Sequence, residues 1–255
     1  TVSASPTAIS ADGGTSTITV TARDASNNPV VGATVVIAAT GVDNTITQPL
    51  AVTDANGEAT GTVASTAVGD KAISATIDGT PVTDTATVTV IAGALSTTVS
   101  TLTVSDDTLS ADGGASTITV TALDDYGNPI SGRSVVLAAT GTGVSLTQPA
   151  GVTDAAGQVT GTFASTAAGS HTVSATIDGD AITATADIVI VPGAVSAAQT
   201  LVDASPTSIT TDAEVSTITV TARDANDNPI PGATVVLAAT GAGNAITQPA
   251  GTTNA

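Results

Sequence analysis

Seven residues, Ser16-Thr17-Ile18-Thr19-Val20-Thr21-Ala22, return unchanged at 116–122 and again at 216–222. The offset between Ile18 and Ile118 is 118 − 18 = 100, and the same offset separates Asp12 from Asp112 and Gln48 from Gln148, so the copies need no insertion or deletion. Self-similarity at a fixed period marks a repeat architecture, and a unit of this size is far longer than the roughly 20–50 residues of a solenoid repeat. It matches an independently folding domain of about 100 residues. The 255 residues therefore read as beads in series: 1–93, 94–193 and 194–255. The third stops near the turn equivalent to Ala55-Asn56-Gly57 and is expected to lack its C-terminal strands. With no Met at the start, no signal peptide and no apolar run of about 20 residues, the chain is expected to be a stretch of a longer protein.

Within a copy the apolar residues alternate. Over Thr15 to Arg23, Ile18, Val20 and Ala22 share one parity and Thr17, Thr19 and Thr21 the other, which is the period of a half-buried strand. Before it, Thr1 to Ser10 is interrupted by Pro6. Proline within a sheet is confined to edges, bulges and strand ends, so a split first strand at a sheet edge is expected. Val30 to Thr40, apolar on both faces around Val35-Val36-Ile37, reads as a strand in the middle of a sheet. Ile46 to Thr53 is a short strand or a strand pair broken by Pro49, and further strands follow at Glu58 to Ala64, Gly69 to Ile77 and Val82 to Ile91. Asp12-Gly13-Gly14, Asp54-Ala55-Asn56-Gly57 and Asp78-Gly79 supply turns. About seven short strands, turn signals every 8–12 residues and no helical period predict an all-β fold, a β-sandwich in each copy. The linkers Ala92-Gly93-Ala94 and Pro192-Gly193-Ala194 are too short for neighbours to tumble freely, so an extended, semi-rigid rod is expected.

Composition restricts what such beads can do. Against 22 Asp and Glu stand only 4 Lys and Arg, a net charge of −18. That field repels phosphate backbones and anionic headgroups, which argues against nucleic-acid binding and against direct membrane contact. There is no Cys, Met or Trp and only one Phe and one Tyr. No disulfide framework can form, and the cores must be built from Val, Ile, Leu, Ala and Thr methyls, which suit pleated surfaces. Without exposed aromatics, sugar stacking is a poor reading.

The motifs resemble a known family. Asp12-Gly13-Gly14 leading into Ser-Thr-Ile-Thr-Val-Thr-Ala, then Asn28-Pro29, Gly32 and Thr53-Asp54-Ala55-Asn56-Gly57, are similar to the bacterial Ig-like domains of group 1 (Big-1) found in intimin- and invasin-type adhesins. The same motifs recur at Asp112-Gly113-Gly114, Asn128-Pro129 and Thr153-Asp154-Ala155-Ala156-Gly157, and the third copy keeps Asn228-Pro229. The resemblance implies tandem immunoglobulin-like Greek-key sandwiches serving as the stalk of a bacterial cell-surface or secreted adhesin. Its residues carry no receptor-binding tip. An alternative reading is a subunit of an extracellular filament or sheath, other copies completing the half domain by strand complementation in trans.

Candidate sites are few. His171 is the only histidine, so a His-based triad or zinc centre lacks partners, and no other pairing of nucleophile and base points to an enzyme. Its counterpart is Lys71, a surface-type residue, which places His171 in solvent. Phe163 stands where Val63 does, at an inward parity. Tyr126 replaces Ser26 at a loop tip and is either a joint contact or simply exposed. No N-glycosylation sequon occurs; the outward Thr rows could carry O-glycans, though Thr is also a good strand former. Carboxylates gather at the expected joint between the first two beads: Asp12, Asp43 and Asp70 from the first, and Asp124, Asp125, Asp154, Asp178 and Asp180 from the second. Two readings stay open there, Ca²⁺ bridging the poles through oxygen ligands and solvated turns, in which Asp is favoured anyway.

Overall fold

The computed structural model describes residues 1–254. The first repeat contains β1 (Val2–Ser5), β2 (Ala8–Ser10), β3 (Ser16–Thr21), β4 (Val35–Ala39), β5 (Asn44–Thr47), β6 (Glu58–Ser65), β7 (Gly69–Ile77), β8 (Thr80–Pro81) and β9 (Ala86–Ile91). The second contains β10 (Thr101–Val104), β11 (Thr108–Ser110), β12 (Ala115–Thr121), β13 (Val135–Ala139), β14 (Val144–Thr147), β15 (Gln158–Ser165), β16 (Gly169–Ile177), β17 (Asp180–Ala181) and β18 (Ala186–Val191). In the third, β19 (Leu201–Ser205) and β20 (Thr217–Thr221) form a two-stranded antiparallel sheet. No helix occurs among the described residues.

Each complete repeat is a two-sheet sandwich. The first has orders β1-β3-β6-β5 and β2-β9-β7-β4, with β8 beside β7, and the second repeats this as β10-β12-β15-β14 and β11-β18-β16-β13. The split first strand does more than lie at one edge. Pro6 separates β1, which pairs antiparallel with β3, from β2, which crosses to the other sheet and pairs parallel with β9. Alternation holds as read: Ile18, Val20, Val63, Ile73, Val88 and Val90 are fully buried and form the heart of the first core with Ile9, Val35 and Ile37. A buried side chain of this size contributes about 1.5–3 kcal/mol, so aliphatic residues alone can carry the sandwich. Phe163 is buried in the second, as its parity predicts.

Three strand expectations are corrected, one of them the closing strand, which begins at Ala86 rather than Val82. The third strand begins at Val35, because Pro29 bridges back to Arg23 and Gly32 takes a positive φ, which keeps residues 30–34 out of the ladder. It also lies at a sheet edge rather than in the middle, so Val36 is 51% exposed. An edge strand needs protection against pairing with another chain, and Gln48 supplies it: its amide accepts from Ile37 N and donates to Ile37 O, both at 2.7 Å. Gln148 does the same at Leu137 and Gln248 at Leu237. The strand expected at Ile46 to Thr53 is β5, shifted to Asn44–Thr47, because Pro49 ends it.

The chain groups into two compact units that are offset from its sequence period. One holds Thr1–Thr101 together with Thr121–Ser134 and Val152–Gln158; the other holds Leu102–Val120, Val135–Gly151 and the chain from Val159 onwards. The loops at the start of the second repeat thus pack with the body of the first.

Candidate functional site

The sites that recur are the joints, and they begin as a local turn. After β3 the chain must reverse, and Asp24 caps that turn: its Oδ1 accepts from Ser26 N and Asn28 N, both at 2.9 Å, and Asn28 Nδ2 donates to its Oδ2 at 3.0 Å. Asp124 with Asn128 and Asp224 with Asn228 build the same turn. Asp24 and Asn28 are exposed, whereas Asp124 and Asp224 have 0% exposure and Asn128 and Asn228 are buried. The difference is what each meets from the preceding repeat.

At the first joint, within the first compact unit, the linker residue Gly93 donates its N–H to Asp124 Oδ2 at 2.9 Å. Its neighbour Ala94 donates to Asp12 Oδ2, also at 2.9 Å. The two adjacent linker amides are therefore held by carboxylates from two repeats. Asn128 adds a second pair of contacts, donating from Nδ2 to Thr66 O at 2.9 Å and accepting at Oδ1 from Val68 N at 3.3 Å. A Cβ at 93 would stand 2.6 Å from Asp12 Cγ, so any other residue there must displace the Asp12 carboxylate.

The second joint, within the second compact unit, repeats this atom for atom. Gly193 N donates to Asp224 Oδ2 at 2.9 Å and Ala194 N to Asp112 Oδ2 at 2.8 Å. Asn228 Nδ2 donates to Thr166 O and Ala168 N to Asn228 Oδ1, both at 2.8 Å. One contact has no counterpart at the first joint: Asn226 Nδ2 donates to Ala111 O at 3.0 Å.

Each buried carboxylate is held by N–H donors. Burial works to raise the pKa of Asp124, but the Gly93 N–H, the Asn128 side chain and the turn amides outweigh it and leave the pKa lowered. Asp224 is lowered in the same way, burial being outweighed by Asn228 and Gly193 N–H. Asp12 is lowered by the Ser10 hydroxyl and then by Ala94 N–H. Hydrogen bonds to the charged form favour it, so the joints are assembled around ionised aspartates.

Of the eight carboxylates named from sequence for calcium, Asp12 and Asp124 meet at the linker, each engaged by backbone amides. Asp70 accepts from Thr89 Oγ1 at 2.7 Å, and Asp43 takes a positive φ while its carbonyl accepts from Thr66 N. Asp154 caps its own turn through Ala156 N and Gln158 N, and Asp125 is exposed. Asp178 and Asp180 flank the exposed hairpin between β16 and β17. Among the described residues, no three His, Asp or Glu side chains gather where they could hold a metal ion. Asp12, Asp124 and Asp154 spend carboxylate oxygens on N–H groups of the linker or of their own turns.

The solvated placement of His171 is also corrected. Lys71 and His171 are 4% and 3% exposed, because the loop after β4 or β13 folds over them. Lys71 Nζ donates to Val42 O at 3.3 Å, and the His171 ring packs 5.6 Å from that of Phe163. Tyr126 is exposed. Sequence reading missed Asn128 and Asn228 as joint residues. The signal was there in the fixed spacing of Asp24 to Asn28, Asp124 to Asn128 and Asp224 to Asn228.

The sequence matches the family described as "Bacterial Ig-like domain (group 1)" over residues 1–91 and 99–191. No curated protein sequence matches it. Among solved structures, InvD of Yersinia pseudotuberculosis superposes with a TM-score of 0.62 at 28% identity, over 91% of this chain and 72% of that one. The Escherichia coli adhesin FdeC gives 0.63 at 27% identity, over 92% and 77%. Invasin, a bacterial integrin-binding protein, gives 0.55 at 25%, over 91% of this chain and 48% of that one.

Proposed function

Because this chain belongs to the family of bacterial Ig-like domains, group 1, we propose that it is a spacer in the stalk of a bacterial surface adhesin. Its repeats, 1–93, 94–193 and 194–255, hold a binding tip away from the cell and carry tension without catalysing a reaction. The observation that carries this is the repetition of one hydrogen-bonded latch at two successive joints. A spacer must transmit position and force from one bead to the next, and a linker whose own amides are clamped on both sides does that. The partners of each repeat are then its neighbours in the chain. The two relatives named as an adhesin and as an integrin-binding protein support a place outside the cell, as does a surface of net charge −18, which keeps repeated domains soluble and apart.

Small-angle scattering on the whole chain tests the reading. Native joints should give a narrow distribution of end-to-end dimensions that broadens in the double variant D124A/D224A. A native chain already as flexible as that variant overturns it.

A further inference from the structure

Position 171 is where the two complete repeats differ in chemistry at the joint. His171 Nδ1 lies 2.8 Å from Thr140 O and Nε2 lies 3.0 Å from Ala167 O. Both partners are carbonyl oxygens, which only accept, so both ring nitrogens must donate, and only the imidazolium carries two N–H groups. A neutral ring would turn a lone pair on one of these carbonyls in a site almost closed to water.

The first repeat solves the same problem otherwise. There Asn44 Nδ2 donates to Thr40 O at 3.0 Å, while the Lys71 ammonium serves Val42 O. In the second repeat Val144 stands in place of Asn44 and cannot donate, so Thr140 O depends on the histidine. Ala167 O has one further donor, Ser165 Oγ at 3.3 Å, but that hydroxyl's single hydrogen is shared with Thr142 O at 3.2 Å. The loop fixed in this way, residues 166–168, seats the next repeat: Thr166 O and Ala168 N bond Asn228.

We infer that His171 is a proton-dependent pin of the second joint. Its doubly protonated ring ties Thr140 O to Ala167 O and so holds the loop that receives Asn228, and loss of the proton frees one carbonyl and loosens that joint alone. The first joint has no histidine at this position, Lys71 donating there to Val42 O instead. Among the described residues, no carboxylate or cation bonds to the ring. β13, β15 and the loops 140–143 and 166–168 carry no charged residue, Asp187 on β18 is taken by Thr172 Oγ1, and across the joint Asp224 is taken by Gly193 N and Asp227 by Arg223. The inference stands on these contacts whether or not the chain serves as a stalk.

The whole chain, with its single histidine, gives an unambiguous test. Imidazole ¹⁵N spectra should show both nitrogens protonated at the low end of the range in which histidine changes charge, about pH 5–8. Through the titration, exchange protection of the Ala168 amide, corrected for intrinsic rates, should fall about ten-fold, as for loss of one buried hydrogen bond, while that of Val68 stays level. Two variants copy the first repeat: H171K replaces the imidazole with the amine found at Lys71, and V144N returns an amide to Thr140 O so that a neutral ring suffices. Each should abolish the pH dependence at Ala168. A single neutral tautomer throughout, equal changes at Val68 and Ala168, or an unaltered dependence in V144N overturns the inference.

Discussion

Truncating Asn128 to alanine isolates what a joint is worth, because the chain carries its own control. Asn28 sits in the same turn, makes the same bond to its aspartate, and is exposed. N128A removes two cross-joint hydrogen bonds, to Thr66 O at 2.9 Å and from Val68 N at 3.3 Å, besides the bond to Asp124. A hydrogen bond contributes about 1 kcal/mol net, and about 1–3 kcal/mol is lost where a buried group is left unpaired. With two bonds lost, N128A should cost the joint about 2–4 kcal/mol, and N28A under about 1 kcal/mol for its single exposed contact. Global denaturation of a multidomain chain gives no single unfolding free energy, so the local readout is amide exchange at Val68. At about 1.36 kcal/mol per decade, its protection should fall by about thirty-fold or more in N128A and stay within a few-fold in N28A. Equal effects of the two variants would refute the reasoning, since the contacts across the joint would then add nothing to the turn.

Acid should open the joints before the sandwiches. Asp124 and Asp224 have lowered pKa values in the folded chain, so their stabilisation is complete above the unfolded value of about 3.9 and is lost as pH falls through the folded values; exchange at Val68 and Ala168 should accelerate there while Ile18 stays protected. Replacing Ile18 by alanine in the closed first core should cost about 2–5 kcal/mol, against about 0.5 kcal/mol or less for the exposed V36A, as read from amide-exchange protection of the first core. At Gly57, with φ 79° and a Cβ that would meet Ala22 O, alanine should destabilise by more than about 1 kcal/mol, measurable by the same exchange. Calcium addition followed by EDTA should leave amide exchange at Val68 unchanged, since Asp12 and Asp124 each already accept from a linker amide; slower exchange in calcium would support cation bridging.

The sandwich was legible because strand alternation is local: the parity that buries Ile18, Val20, Ile73 and Val88 is written along each strand. Val36 misled because two apolar neighbours look alike at a sheet edge and at its centre, and edge position depends on which strands pair. The joint was half legible. Asp12 and Asp124 stood out as carboxylates at facing poles, but their partners are linker amides, which leave no mark in a side-chain sequence. His171 was misplaced because its burial comes from a loop some 30 residues away in the chain, contributing Thr140 O.

Every repeat that is complete here carries both halves of the latch, a receiving aspartate and asparagine at its start and an offered linker with its loop carbonyl at its end. Adding or removing a stretch of one period, wherever the cut falls, rejoins a matching half to a matching half. Recombination between such similar gene segments can therefore lengthen or shorten the protein without any junction having to be redesigned, so that the number of repeats can vary while the latch that joins them is kept.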